Sequence, residues 1–124
     1  MLDAQMKRGL IENCVLAATA RGDSYGYKIV KDLSGCVNVT ESTLYPILRR
    51  LESAGCLTVY SVEHSGRLRK FYHITELGRK QLRDFADSWG ELEAMYEFIR
   101  GGLEDEQSLI PAAAALASRA DAAE

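Results

Sequence analysis

The residues with the clearest chemical potential are hydroxyl, phenol, guanidinium and ammonium groups in two short stretches. One stretch follows Thr40, and the other, residues 67–70, holds three basic residues within four positions. Hydroxyl groups bond to base edges and phosphates, and arginine and lysine pair with phosphates. Each charged residue alone reads as a solvated surface group, but the clustering favours a nucleic-acid-binding surface. The candidate DNA contacts are Tyr25, Lys28, Thr40, Ser42, Thr43, Tyr45, Arg49, Arg50, Arg67, Arg69 and Lys70.

The cysteines and histidines do not form a recognised catalytic or metal-binding pattern. Cys14, Cys36 and Cys56 lack the two-to-four-residue separation typical of zinc ligands, and His64 and His73 are nine positions apart. The chain also has no glycine-rich phosphate loop, nucleophile elbow or HExxH motif. We therefore expect no enzyme activity, no metal and no cofactor. Cys14 and Cys56 are interpreted as core residues, and a thiol sensor acting through Cys36 is an alternative.

The composition is that of one ordinary globular domain. The chain has 124 residues, 47% hydrophobic and 27% charged, which is enough for a core without disulfides or metals. The net charge is −3, yet residues 1–80 carry 12 Lys and Arg against 8 Asp and Glu, and residues 81–124 carry 3 against 10. A basic half and an acidic half allow one face to attract phosphates. With no signal-peptide layout and no apolar run of about 20 residues, we predict a cytoplasmic protein.

Hydrophobic spacing predicts three short helices in the first half of the chain. Apolar residues at intervals of three and four indicate helices over residues 3–19, 24–33 and 40–54. Asp23 or Ser24 is expected to cap the second helix and Thr40 the third, since their oxygens can accept free amides of the first turn. The third helix contains Pro46 and either starts late or bends. Because the apolar spacing continues through the proline, we expect the bend.

After Gly55 the spacing of apolar residues is no longer helical, and the sequence predicts a β-hairpin and then a long helix. Residues 57–63 and 68–74 are rich in β-branched and aromatic residues and indicate two strands joined by a turn at residues 64–67. Thr75 is expected to cap a fourth helix over residues 76–100, ended by Gly101-Gly102. From Leu103 the chain is acidic and then alanine-rich, and could be a frayed helix or a disordered tail.

Three short helices followed by a basic hairpin are typical of a winged helix-turn-helix, whose third helix enters the major groove. The predicted fold class is mainly α with a small β-hairpin. We expect residues 1–75 to be the DNA-binding domain, residues 76–102 a C-terminal dimerisation helix and residues 103–124 the tail.

The fourth helix carries a heptad repeat, which indicates pairing with another helix. A domain this small has little else to cover the apolar heptad face of this helix, so we expect a homodimer. Its two copies would bind DNA half-sites roughly 34–36 Å apart. The predicted dimerisation residues, called the seam below, are Leu82, Phe85, Trp89, Leu92, Tyr96 and Ile99. Trp89 lies in the middle of this seam and, with Met6, Phe85 and Leu92, could line a cavity for a flat aromatic ligand. Plain core packing of the seam is the competing interpretation.

Three segments resemble the PadR family of transcriptional regulators. The third helix of that family is similar to ESTLYPILRRLESAGCL (residues 41–57), its second helix to DSYGYKIVKDL (residues 23–33), and its wing and dimerisation helix to RLRKFYHITELGRKQL (residues 67–82). The resemblance covers about residues 2–100 and is closest to the small-subfamily members. It implies a homodimeric repressor of a pseudo-palindromic operator, released in some members by a small aromatic molecule. Leu68 and Cys56 depart from the family pattern, outside the predicted reading positions.

A protein-interaction adaptor that uses a winged helix without binding DNA is the competing function. Such an adaptor would not need Arg49 or the arginines of the hairpin.

Overall fold

Four helices and one hairpin make up residues 3–123, the part of the chain whose backbone the structure describes. The computed structural model describes the backbone of residues 3–123 and the side chains of residues 3–106. In chain order the elements are α1 Ala4–Ala20, α2 Gly26–Leu33, α3 Glu41–Ser53, β1 Leu57–His64, β2 Arg67–Ile74 and α4 Glu76–Ala123. The predicted fold class, mainly α with a small antiparallel hairpin, is confirmed.

The core lies where the first three helices meet the base of the hairpin. Val15 and Leu16 of α1, Leu44 and Leu48 of α3 and Leu57 of β1 are almost completely shielded from solvent. Val15, Leu44 and Leu48 fall on the apolar faces that helical spacing predicts, so the burial of one stripe per helix helps to bring the helices together. Towards its tip the hairpin leaves this core, and residues 61–68 are exposed.

The three cysteines are free thiols in three different environments. Cys56 is buried, Cys14 is half-buried against the core, and Cys36 is exposed. Burial is the main reason that the pKa of both Cys56 and Cys14 lies above its usual value. The interpretation of Cys14 and Cys56 as small core residues is therefore confirmed.

Two threonines cap helices as predicted. The Thr40 hydroxyl accepts the backbone N–H of Thr43 at 3.2 Å, and the Thr75 hydroxyl accepts that of Gly78 at 3.1 Å. The Thr75 hydroxyl also donates to the carbonyl of Gly55 at 2.6 Å, which ties the start of α4 to the turn that follows α3. Each cap satisfies an amide that the first helical turn leaves without a partner.

The predicted cap of α2 is wrong. Tyr25 occupies the N-cap position, and its side chain makes no capping hydrogen bond. Ser24 is buried and pairs with β2 instead: its N–H donates to the carbonyl of Tyr72 at 3.1 Å, and the N–H of Tyr72 donates back at 2.7 Å. The Asp23 carboxylate also binds the hairpin. Asp23 and Ser24, which the sequence predicts as caps of α2, therefore bind the distant hairpin instead.

The hairpin is longer and its turn tighter than predicted. His64 pairs with Arg67, so only Ser65 and Gly66 form the loop, with φ angles of 52° and 79°. Two-residue loops with positive φ at both positions match the right-handed twist of the strands they join. The wing is consequently an unbroken eight-pair ladder from Leu57↔Ile74 to its tip.

Two helices differ from the expected pattern. α3 begins at Glu41 and runs through Pro46, so the alternative of a late start is wrong. α4 does not end at Gly101-Gly102 but continues to Ala123, so the predicted end of the helix is wrong and the backbone described beyond Leu103 is helical. Side chains beyond residue 106 lie outside the described part.

The chain forms two compact units, Met1–Ala86 and Asp87–Glu124. In the first unit, Gly78 is buried and Leu82 packs against the core, so the start of the predicted seam is covered by the chain itself. In the second unit, exposed apolar side chains follow the α4 backbone; they are Trp89, Leu92, Met95, Tyr96, Phe98, Ile99 and Leu103. Within the described residues, we find no helix that is long and apolar enough to cross a membrane.

Candidate nucleic-acid interface

The N-terminus of α3 presents a small cluster of hydroxyl groups. The Thr40 hydroxyl lies 3.0 Å from that of Ser42 and donates to that of Thr43 at 3.0 Å. All three residues are exposed, so the cluster faces solvent at the positive end of the helix dipole. Hydroxyls in this position can bind either a phosphate or a base edge. The three predicted contacts are therefore brought together by the cap itself.

Tyr45 leans from α3 onto the first turn of α2. A Cβ atom placed on Gly26 would lie 3.2 Å from the Tyr45 hydroxyl oxygen, so the glycine leaves room for the ring. Tyr45 remains 40% exposed despite this contact. Its phenol is held at the surface by packing against Gly26, and its role as a phosphate contact stays a prediction.

The predicted basic contacts of α2 and α3 differ in their partners. Arg49 is exposed, whereas Arg50 forms an ion pair with Glu12 of α1. Lys28 pairs with Asp32 one turn along α2, at 2.9 Å, with both side chains exposed. Exposed pairs of this kind contribute little to stability. Arg49 is the residue of this group for which the structure shows no ion pair within residues 3–106.

The wing carries the remaining predicted contacts. Arg67 and Lys70 are exposed, and Leu68 between them is 76% exposed. Arg69 is half-buried because its guanidinium carbon lies 4.2 Å from the centroid of the Tyr25 ring. Tyr25 and Arg69, predicted as separate contacts, thus form one cation–π pair.

A cleft of about 740 Å³ lies between the start of α2, the first half of α3 and the tip of the wing. Five predicted contacts line it: Tyr25, Tyr45, Arg67, Arg69 and Lys70. Residues that the sequence analysis missed also line it, namely Gly26, Tyr27, Glu41, His64, Ser65, Leu68 and Tyr72. Gly26 is the one with a readable signal, since a glycine at the start of an amphipathic helix indicates a close approach by another group.

A second cleft, of about 520 Å³, separates the start of α1 from α3. Thr40, Thr43 and Arg50 line it on the α3 side, and Lys7 and Arg8 on the α1 side. Lys7 and Arg8 were not predicted as contacts, because the apolar spacing of α1 indicates only its buried face. They extend the basic surface from α3 onto α1.

The residues of the predicted ligand site and seam are distributed along α1 and α4. Met6 is 54% exposed on α1, and Phe85 is half-buried on α4. Trp89, Leu92, Tyr96 and Ile99 are between 42% and 62% exposed. Their roles in ligand binding and dimerisation stay predictions.

Comparison with known proteins identifies relatives of this arrangement. A profile of the transcriptional regulator PadR-like family matches residues 15–84. A protein of Lysinibacillus sphaericus of uncharacterised function is 31% identical over 109 residues, which are 84% of this chain and 100% of that protein.

Three solved structures are similar over most of both chains. A Streptococcus mutans protein is 42% identical, with coverage of 77% of this chain and 90% of that one and a TM-score of 0.69. A PadR family transcriptional regulator from Eggerthella lenta is 32% identical, with coverage of 77% and 85% and a TM-score of 0.70. A PadR-like transcriptional regulator from Bacillus cereus is 32% identical, with coverage of 77% and 96% and a TM-score of 0.67. The winged helix, the profile match and these relatives together show that the chain belongs to the PadR-like family of transcriptional regulators.

Proposed function

We propose that this protein is a homodimeric repressor that recognises a specific pseudo-palindromic operator. Membership of the family makes it a DNA-binding transcriptional regulator. The proposal adds the sequence specificity, the oligomeric state, the direction of regulation and the residues that make the contacts.

Reading of base edges is assigned to the first turns of α3. Ser42 and Thr43 are exposed beside the Thr40 cap, and short hydroxyls can reach base edges when a helix enters the major groove end-on. Tyr45 and Arg49 lie further along the same exposed surface and are assigned to the phosphates that flank the groove. Arg50 and Lys28 join this set with a smaller contribution, because each already has a carboxylate partner.

The wing is assigned to the adjacent backbone or minor groove. Arg67 and Lys70 are exposed near the tip of the hairpin, and Arg69 is held by the Tyr25 ring. The observation that carries the proposal is the shared cleft: residues from α2, α3 and the wing tip border one basic opening rather than three separate surfaces.

Dimerisation is supported by the open apolar face of α4. Leu92, Tyr96 and Ile99 repeat at intervals of four and three and are 42%, 54% and 62% exposed in the single chain. Apolar residues at this spacing bury themselves against a second helix. A pair of chains would present two reading helices to two half-sites.

The proposal also includes release from DNA by a small aromatic ligand. Its basis is the large, 45% exposed ring of Trp89 on the same helix. Titration of planar aromatic compounds against tryptophan fluorescence tests it, with loss of operator binding as the second readout. Saturation of the fluorescence change together with release of DNA is the expected result, and no response across a broad panel would contradict it.

The DNA assignment is tested with the region upstream of the protein's own gene. Fluorescence anisotropy of labelled duplexes should locate a bound palindrome. On that duplex, Arg49→Ala and Arg67→Ala should each weaken binding by about tenfold or more and reduce the salt slope by about one per lost phosphate contact in each half-site. Arg83→Ala, an exposed arginine of α4 outside both clefts, is the matched control and should bind normally.

Two results would overturn the assignment. If both arginine variants bind the operator as tightly as the wild type, Arg49 and Arg67 are not DNA contacts. Absence of specific binding by the wild-type dimer, with retained capture of a protein partner, would favour the adaptor.

A further inference from the structure

We infer that the wing is held in its DNA-binding position by a clamp on its outer face, made of Asp23, Tyr25, Tyr60, Phe71 and His73. The clamp residues act as positioning residues, and the inference rests on the proposed function because its readout is operator binding. The name "wing clamp" refers to these five residues below.

The polar half of the wing clamp is one carboxylate that contacts both strands. Asp23 Oδ2 accepts the Tyr60 hydroxyl of β1 at 2.7 Å, and Asp23 Oδ1 lies 2.8 Å from His73 Nδ1 of β2. These contacts join residues 37 and 50 positions apart. The hydrogen bond from Tyr60, followed by the contact with His73, lowers the pKa of Asp23, so the carboxylate accepts both groups in its charged form at neutral pH.

The aromatic half of the wing clamp is a stack of three rings. Tyr60 stacks on Phe71 at 5.6 Å between centroids, and Phe71 meets Tyr25 edge-on at 5.3 Å with an interplanar angle of 62°. Tyr60 and Phe71 are cross-strand partners, so their rings lie on the same face of the hairpin. The stack ends at Tyr25, over which Arg69 lies. A wing cation is therefore connected to the start of α2.

The two halves close around a backbone bridge. Ser24, between Asp23 and Tyr25, exchanges two hydrogen bonds with Tyr72, which lies between Phe71 and His73. The segment before α2 thus pairs with β2 through a single antiparallel bridge, with a side-chain contact on each side of the bridge. The helix begins only after this segment, which explains why Tyr25 stands at the N-cap without capping it.

The wing needs such an anchor because the core holds only its base. Leu57, Tyr72 and Ile74 are buried, whereas residues 61–68 nearer the tip are exposed. A two-stranded hairpin is marginally stable by itself. Without the clamp, the direction of Arg67 and Lys70 would depend on a flexible ladder. Because the polar contacts are solvent-accessible, they contribute little to global stability, and their main effect is on the angle of the wing.

The first test separates positioning from stability. Tyr60→Phe removes the hydroxyl and keeps the ring, and Asp23→Asn removes the charge. Each should weaken operator binding by roughly three- to tenfold while leaving the melting temperature close to that of the wild type. His73→Gln, which keeps a hydrogen-bond donor, should bind more tightly than His73→Val. Asp84→Asn, which removes a carboxylate paired only within α4 through Lys80, is the control and should bind normally.

The second test asks whether the effect passes through the wing. In an Arg67→Ala/Arg69→Ala/Lys70→Ala background, Tyr60→Phe should cause no further loss, because a wing without its cations has nothing to position. An equal loss in both backgrounds, or a parallel drop in melting temperature, would mean a merely structural role and overturn the inference. Wild-type binding by both Tyr60→Phe and Asp23→Asn would also overturn it. The proposed function is judged separately, by Arg49→Ala and Arg67→Ala alone.

Discussion

Asp23 shows how the role of one residue is decided by distant partners. An aspartate directly before an amphipathic helix is normally a good cap, and this expectation failed because Tyr60 and His73 compete for the carboxylate. Thr40 and Thr75 were predicted correctly because their partners lie three residues away. Residue roles set by neighbours in sequence could be predicted, and those set by contacts across 37 or 50 positions could not.

Asp23 also predicts how stability responds to acid. The Tyr60 hydrogen bond and then the His73 contact hold the pKa of Asp23 below its ordinary value of about 3.9. Because the folded-state pKa is depressed, the stabilisation is present above about pH 3.9 and is lost as the pH falls through the folded value. Because these contacts are solvent-accessible and contribute little to global stability, urea unfolding of Asp23→Asn should show only a slightly shallower loss of stability than the wild type between about pH 5 and 2.5.

The acid experiment has an internal control. Tyr60→Phe should reproduce part of the effect, since it removes the largest cause of the shift. Tyr27→Phe leaves the contacts of Asp23 intact and should follow the wild-type curve. Coincident curves for wild type and Asp23→Asn would contradict the prediction.

At the scale of elements, the bounds of the helices and strands could be predicted closely, except for the end of α4. The first three helices and both strands follow from apolar spacing and β propensity, with limits shifted by two residues or fewer. Gly101-Gly102 failed as a stop because each glycine costs only about 1 kcal/mol and the sequence beyond is rich in good helix formers. An ion pair between Arg100 and Glu104, 3.3 Å long, also spans the two glycines.

Within the first unit, the packing of the start of α4 depends on Gly78. A Cβ atom there would lie 2.3 Å from the carbonyl oxygen of Cys56 and 2.8 Å from Cγ1 of Ile74. Gly78→Ala should therefore lower the free energy of unfolding by about 1–3 kcal/mol, despite the better helix propensity of alanine. The contacted backbone cannot move aside as a flexible side chain could. Chemical denaturation measures the change.

Gly90→Ala is the matched control for this experiment. A Cβ atom at Gly90 meets nothing within 4 Å, so only the propensity gain of about 1 kcal/mol should remain. Gly78→Ala should lower the free energy of unfolding, and Gly90→Ala should raise it. A neutral or stabilising Gly78→Ala would refute the close approach.

At the scale of the whole molecule, the charge distribution and the open apolar face of α4 support the proposed dimer. The net charge of −3 hides a net +4 over residues 1–80 and a net −7 over residues 81–124. If a proposed dimer neutralises about 8 phosphates, the logarithm of its operator affinity should fall with the logarithm of salt concentration at a slope of roughly −7. Charge asymmetry was visible in the sequence, whereas the two clefts depend on packing between elements.

Disruption of the proposed seam should separate folding from DNA binding. Ile99→Glu places a charge on a side chain that is 62% exposed in the single chain, so each chain should still fold. The charge would be buried in a dimer, which is costly, and sedimentation equilibrium should show monomers. Glu97→Lys changes the charge off the 4–3 repeat and should remain dimeric. A stable Ile99→Glu dimer would place the interface elsewhere.

The exposed stripe of α4 also ties the proposed repressor to its own abundance. When most chains are single, the number of pairs rises with the square of chain concentration, by mass action. Halving the supply of chains would then lower the concentration of paired chains by about fourfold. Dilution during growth would thus relieve repression more steeply than a monomeric repressor allows, and the hydrophobicity of one helix face would set the threshold.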